Sequence, residues 1–289
     1  MQPRLTHALK RAGMRPEPRW RRRPEIDLTG KRILLTGASS GIGAAAAEKL
    51  AARGATMILV ARRDNLLAEV AERIEAKGGE AIVAPRNLAD MNAIDDLVET
   101  VGRVDILINN AGRSIRRSLA ESLERWHDIE RLNVLNYFAP LRLIRGIAPG
   151  MLERGDGHII NVASWRVLPE ASPLFAGYIA SKAALSTVSR VVETEWGGLG
   201  VHSTTVYFPL VATPMIAPTR AYDGLPALSA EEAADWMVTA ARTRPVRIAP
   251  RVALKWKALD VVAPGYVNRM MIRQTPVTPD ALGTGEATP

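Results

Sequence analysis

Short, mostly apolar runs recur along this chain without the polar–apolar alternation of a half-exposed strand, and they constrain its fold more than any other feature. They are ILLT (33–36), TMILVA (56–61), AIVA (81–84), VDILIN (104–109), HIINVA (158–163) and VHSTTVYF (201–208). Strands of this kind are buried on both faces, which requires helices above and below them. Segments of helical period occupy the intervals, at 42–52, 65–77, 91–101, 177–196 and 230–241. A longer helical region at 123–151 contains Pro140 and Pro149, which are expected to bend or end parts of it. A short VRIA strand (246–249) and helical material to about Met271 follow. Strands alternating regularly with helices predict an α/β fold with a doubly wound parallel sheet. With 289 residues, no internal repeat and no break in the pattern, a single domain is expected.

Composition narrows the class. An apolar fraction of 47% and a charged fraction of 24% are those of a soluble globular protein. The absence of cysteine excludes disulfides, thiolate catalysis and cysteine metal sites, and fits a reducing compartment. No apolar run approaches the roughly 20 residues of a membrane span, and no signal-peptide core precedes the first arginines. A cytoplasmic location is expected, with membrane association open. Residues 1–29 read as a basic, flexible extension, either disordered or a loosely docked arm, 30–250 as the catalytic domain, 251–273 as a basic amphipathic helical extension and 274–289 as a disordered tail. The net charge of +8 is concentrated at the ends: residues 1–24 and 242–273 each carry a net +7. Basic ends on an acidic body suit an anionic membrane surface or a nucleotide-bearing substrate, or else form a solvated tail and an exposed helix face. No aromatic-interleaved motif accompanies the charge, so no nucleic-acid partner is expected. His7, His127, His158 and His202 lack ligand spacing, so no metal is expected either.

The first strand runs into TGASSGIG (36–43), at the start of a helix. Gly37, Gly41 and Gly43 permit a tight turn and close backbone approach, and the helix N-terminus offers free N–H groups to a pyrophosphate. Ser39, Ser40 and Ile42 complete that turn. At the end of the second strand, Ala61 is followed by Arg62 and Arg63, where an acidic residue would bind a ribose 2′-hydroxyl. Arginine instead suits a 2′-phosphate, so NADP is expected in preference to NAD. Tyr178 and Lys182, four apart in a helical segment, lie on one helix face, and an ammonium beside a phenol favours phenolate. Ser164 closes the strand 158–163 and is placed to hydrogen-bond a substrate oxygen.

TGASSGIG, NNAG (109–112) and Y-x-x-x-K together resemble the short-chain dehydrogenase/reductase superfamily over about residues 30–250. The resemblance implies a Rossmann-type domain of about seven parallel strands. It implies Tyr178 as general acid/base, Lys182 lowering its pKa and holding the nicotinamide ribose, and Ser164 orienting the substrate carbonyl. It also implies a structural asparagine in a proton relay; of Asn133 and Asn136, the 28-residue separation from Ser164 and the NYF context select Asn136. Asn87 and Leu88 stand beside the adenine in this scheme, with Asn87 where the family has aspartate, and Asn110, Ala111 and Gly112 line its ribose. PLVATPM (209–215) resembles the family's PG-x-V-x-T, so Pro209, Val211 and Thr213 fall at the nicotinamide amide, with Leu210 in place of glycine. Family members commonly pair through the helix carrying the tyrosine, so a homodimer or homotetramer is expected.

APT, the ALS-x-EEAAD run and RP-x-RIA within 217–264 resemble bacterial fatty acyl-CoA or fatty-aldehyde reductases. That implies a small-molecule, long apolar substrate and a place in lipid metabolism. Val252, Leu254, Trp256, Leu259, Val261 and Val262, interleaved with Arg251, Lys255 and Lys257, suit covering an acyl tunnel, lying on an anionic membrane or binding a CoA phosphate; a plain packing helix is the alternative. Trp165–Gly177, one residue longer than is common, is the expected substrate loop, with Trp165 at its wall. The competing functional reading is a non-catalytic dinucleotide-binding or membrane-surface protein on the same fold, which would need none of Ser164, Tyr178 and Lys182.

Overall fold

A computed structural model describes residues 10–17, 24–217 and 219–275. Seven strands form one parallel sheet: β1 (Arg32–Thr36), β2 (Thr56–Ala61), β3 (Glu80–Pro85), β4 (Ile106–Asn109), β5 (Gly157–Ser164), β6 (Val201–Phe208) and β7 (Arg247–Ile248). Their spatial order is β3-β2-β1-β4-β5-β6-β7. The chain therefore begins at the centre, winds out to β3, and returns across β1 to wind the other way. Successive connections diverge between β1 and β4, opening a crevice at the carboxyl ends of the strands where α/β sheets bind ligands.

The unalternating runs are explained by the pleat. Ile33, Leu35, Met57, Leu59, Ile106 and Ile108 bury into one face, against helices α1 (Gly41–Ala51), α2 (Asp64–Glu75) and, farther on, α7 (Ala230–Thr243). Leu34, Ile58, Val60 and Leu107 bury into the other, against α3 (Met91–Val101), α5 (Ala139–Arg154) and α6 (Ala176–Trp196). Each strand must be apolar on both sides because each side faces a helical layer.

The long helical region divides where its sequence is least regular. Helix α4 (Trp126–Asn133) passes into a π-helical turn at Val134–Phe138 before α5 begins. Pro140 sits at the junction of the π-helical turn with α5, and Pro149 lies inside that helix. The C-terminal helical material also divides, into α8 (Arg251–Val262) and α9 (Pro264–Gln274), broken at Ala263–Pro264.

The described part of the N-terminal arm lies on the domain. Residues 10–13 make a helical turn, and Pro16 forms an antiparallel bridge with Pro250. The Glu17 N–H donates to the Ala249 carbonyl at 2.8 Å and the Arg251 N–H to that of Arg15 at 3.0 Å, while Glu17 pairs with Arg247 and Arg11 with Glu232. Residues 1–9, 18–23 and 276–289, including most of the expected disordered tail, lie outside the described residues. Among the described residues no helix is long and apolar enough to cross a membrane.

Candidate active site

The glycine turn joins β1 to α1. Gly37 and Gly41 adopt φ of +69° and +55°, in the left-handed region that favours glycine. Gly43 is required by proximity: a Cβ there would stand 2.1 Å from the Gly37 carbonyl oxygen. Ser40, the N-cap of α1, makes no side-chain capping bond, and the first turn carries no acidic residue. An uncapped helix N-terminus behind a glycine turn fits a pyrophosphate. Thr36 sets this geometry, although the sequence reading passed over it. Its buried hydroxyl accepts the Asn110 and Ala111 N–H groups at 2.9 and 3.0 Å, and the Asn110 amide donates back to the Thr36 carbonyl at 3.0 Å. The initial threonine of TGASSGIG is the signal that could have pointed to it.

At the end of β2, the Arg63 guanidinium donates to the hydroxyls of Ser39 and Ser40, each at 3.2 Å, and Arg62 and Arg86 line the same cavity. This cluster of cations and hydroxyls fits a phosphate ester at the ribose. Leu88 is buried and lines the cavity, whereas Asn87 is exposed, accepts the Ala89 N–H at 3.2 Å, and is not among the lining residues. Asn87 is thus directed to its own turn rather than to the cavity, an Asx-type bond that competes with the expected contact. Pro209, Val211 and Thr213 line the same cavity, Thr213 beside Gly41, and Leu210 stands with them where the family places glycine. The Leu210 backbone is tied to the Leu228 N–H at 2.9 Å.

Ser164, at the end of β5, and Tyr178 and Lys182, on α6, face this cavity. The Lys182 ammonium donates to the Val162 carbonyl at 2.9 Å and is brought down to about 8 by burial. Burial likewise pushes the Tyr178 phenol up to about 12, against a hydrogen bond from Ser164 and the positive charge of Arg166. The phenolate expected from the Tyr178–Lys182 spacing is therefore disfavoured here: desolvation outweighs every favourable charge, and the nearby cation acting on the phenol is Arg166. At neutral pH Tyr178 holds its proton, as a proton donor must.

Asn136, fully buried in the π-helical turn, accepts the Arg113 N–H at 2.8 Å and donates to the Arg113 carbonyl and the Ser181 hydroxyl. It clips the strand-end loop to α6. Asn133 instead donates back to the Ile129 carbonyl of its own helix. A Cβ on Gly112 would meet the Asn136 amide oxygen at 3.1 Å and the Lys182 ammonium at 3.2 Å, so the three converge on one point.

The loop after Ser164 carries backbone strain, with Glu170 and Leu174 at φ of +53° and +69°. It presents Trp165, Arg166 and Phe175 to the cavity. The Arg166 guanidinium lies 4.8 Å from the Phe175 ring centre and 5.8 Å from that of Trp165, and burial lowers its pKa. Nothing in the one-dimensional spacing marks Arg166; only the closure of the loop over Tyr178 gives it a role. Beyond the loop, Met215, Leu225, Val252 and Trp256 make an apolar wall, and Lys10 and Met14 of the N-terminal arm join it. The whole cavity encloses about 630 Å³ and, among the described residues, is lined by no carboxylate. No three His, Asp or Glu side chains gather as a metal site among the described residues.

Comparison with known proteins accords with this geometry. The family model of the short chain dehydrogenases matches residues 31–223. A Mycobacterium tuberculosis protein named fatty acyl-CoA reductase is 68% identical over 280 residues, covering 93% of this chain and 95% of its own length. An Acinetobacter baylyi protein of the same name is 46% identical, covering 85% and 84% respectively. The crystal structure of a metagenomic short-chain oxidoreductase in complex with NADP superposes with a TM-score of 0.63 at 32% identity, over 75% of this chain and 92% of that one. The chain thus belongs to the short-chain dehydrogenase/reductase family and is an oxidoreductase acting between CH–OH and C=O.

Proposed function

We propose that this protein is an NADP-dependent reductase of long apolar carbonyl substrates, of fatty-aldehyde or acyl-thioester type. The observation that carries the reading is the meeting of two chemistries in one cavity. The glycine turn, Ser39, Arg62 and Arg63 line it together with the apolar side chains of Met215, Leu225, Val252 and Trp256, and Ser164 and Tyr178 line the same cavity. The name of the 68% identical relative and the NADP held by the superposed oxidoreductase support it.

The bound dinucleotide supplies a hydride equivalent. The chain's own residues do the rest. Arg62, Arg63 and the α1 N-terminus would hold its phosphates, and Lys182 and Asn136, converging at Gly112, would order the floor beside it. Ser164 donates to the substrate oxygen and Tyr178, neutral at pH 7, delivers the proton to the alkoxide as it forms; with a thioester the product of that step is a hemithioacetal, which breaks its C–S bond to release the thiol and the aldehyde. Lys182, lowered to about 8 by burial, remains largely charged at neutral pH and is held by the Val162 carbonyl. Exclusion of water by the Trp165–Phe175 loop strengthens each of these interactions. We also propose that the protein pairs with a second copy through α6, where Val191 is exposed; light scattering of the purified chain tests this.

The decisive experiment replaces Tyr178 by Phe. The variant is expected to bind NADPH like the wild type and to lose turnover by at least a hundredfold, within the 10²–10⁴ range for a general acid. Wild-type-like turnover would overturn the mechanism. A panel of long-chain aldehydes, ketones, sterols and acyl-CoAs, read by NADPH consumption, identifies the substrate.

A further inference from the structure

Helix α8 is the roof of the cavity, with its inner and outer faces built differently. Val252 and Trp256 point into the cavity and Ala253 is fully buried. Arg251, Lys255 and Val262 lie along one flank of the outer side, where the Arg251 guanidinium also donates to the Pro16 carbonyl at 3.3 Å, and Lys257 and Val261 lie along the other. Val261 and Val262 are 74% and 78% exposed. Helix α9 packs back on α8 and continues the surface. Its Tyr266 and Ile272 are 51% and 64% exposed, beside exposed Arg269 and Arg273, while Val267 is buried. Asp260 is the lone acid in residues 251–275. Most exposed apolar residues on a soluble protein are isolated and need no explanation; a cluster beside cations does.

We infer that the α8–α9 face docks on an anionic lipid surface, with the apolar side chains entering the headgroup boundary and the cations meeting lipid phosphates. Three observations favour lipid over another occupant. Exposed Val261, Val262, Tyr266 and Ile272 stand near exposed Arg269 and Arg273, so one surface offers apolar groups to the acyl boundary and cations to lipid phosphates. With a single acid among five bases, two copies of this face would repel each other. And the same helix that presents Val261 and Val262 outward carries Val252 and Trp256 over the cavity, so docking sets the site at the surface where long-chain molecules partition. This last argument rests on the apolar-substrate reading above; the first two do not.

The test uses the full chain with phosphatidylglycerol/phosphatidylcholine vesicles and with phosphatidylcholine vesicles alone. The protein is expected to co-sediment with the former, to be released as salt is raised, and to leave the latter unbound. The double variant V261D/V262D, and separately K255E/K257E, are expected to lower the bound fraction at least tenfold. Neither pair lines the cavity, so turnover of a short water-soluble aldehyde stays at the wild-type level, and circular dichroism checks that α8 and α9 persist. Equal sedimentation of wild type and both variants, or no binding by the wild type at low salt, would overturn the inference. So would conversion of a dimer to a monomer by V261D/V262D in light scattering, which identifies a second copy as the occupant. Vesicle binding without turnover of any aldehyde or acyl substrate would instead count against the substrate reading and leave the docking face standing.

Discussion

Lys182 allows the electrostatics of the site to be measured without substrate or cofactor. Its ammonium titrates at about 8 in the folded protein against an ordinary 10.5, because burial penalises the charge. The sign follows directly. Below pH 8 both folded and unfolded chains carry the proton, and above 10.5 neither does; between them the unfolded chain binds more protons, so stability rises with pH. At about 1.4 kcal/mol per pKa unit, the full effect is on the order of 3 kcal/mol, with roughly 1 kcal/mol recovered by pH 9. Replacing Lys182 by Met keeps most of the length of the side chain and removes the titration. The variant leaves the Val162 carbonyl without its donor, but that cost does not vary with pH. The quantity to follow is therefore the difference between wild-type and variant unfolding free energies, from urea midpoints between pH 7 and pH 10 in the absence of nucleotide. Wild type is expected to gain on the variant throughout that interval. Parallel curves would refute the argument, since they would mean that the ammonium is hydrated or neutralised by a partner.

The remaining predictions concern the cofactor end and its support. Arg62→Ala and Arg63→Ala are each expected to weaken NADPH about ten- to a hundredfold while changing NADH little, because a charge-assisted bond to a 2′-phosphate contributes about 1.5–3 kcal/mol; equal effects on both nucleotides in a titration by fluorescence would sink the 2′-phosphate assignment. Gly43→Ala places a methyl 2.1 Å from the Gly37 carbonyl oxygen, so the turn must open; loss of nucleotide binding with about 1–3 kcal/mol of destabilisation is expected from calorimetry, and a variant that binds normally would show that the turn yields freely. Asn136→Ala strands the Arg113 N–H and carbonyl and is expected to cost about 2–4 kcal/mol in denaturant titration, whereas Asn133→Ala, which removes one local helix bond, should cost under about 1 kcal/mol.

The amino-acid sequence alone determined the layered architecture, because burial on both faces of a strand leaves no other solution for runs such as TMILVA, and the pleat then sends alternate residues to the two helical layers. It also determined the glycine turn and the arginine pair beside it. Glycines at 37, 41 and 43 answer a local steric demand, and arginines at 62 and 63 sit immediately after a strand, so both can be read without knowing what lies across the cavity. Tyr178 and Lys182 were visible for the same reason, being neighbours on one helix. Their protonation was not. Whether a lysine four residues away or burial governs a phenol depends on how much water the surrounding loops exclude, and those loops close from distant points in the chain. Arg166, Lys10 and Trp256 meet at the cavity only because the substrate loop, the N-terminal arm and α8 fold over the same crevice. Local geometry is written in short-range sequence; desolvation, which decides the chemistry of this site, is a property of the assembled tertiary structure.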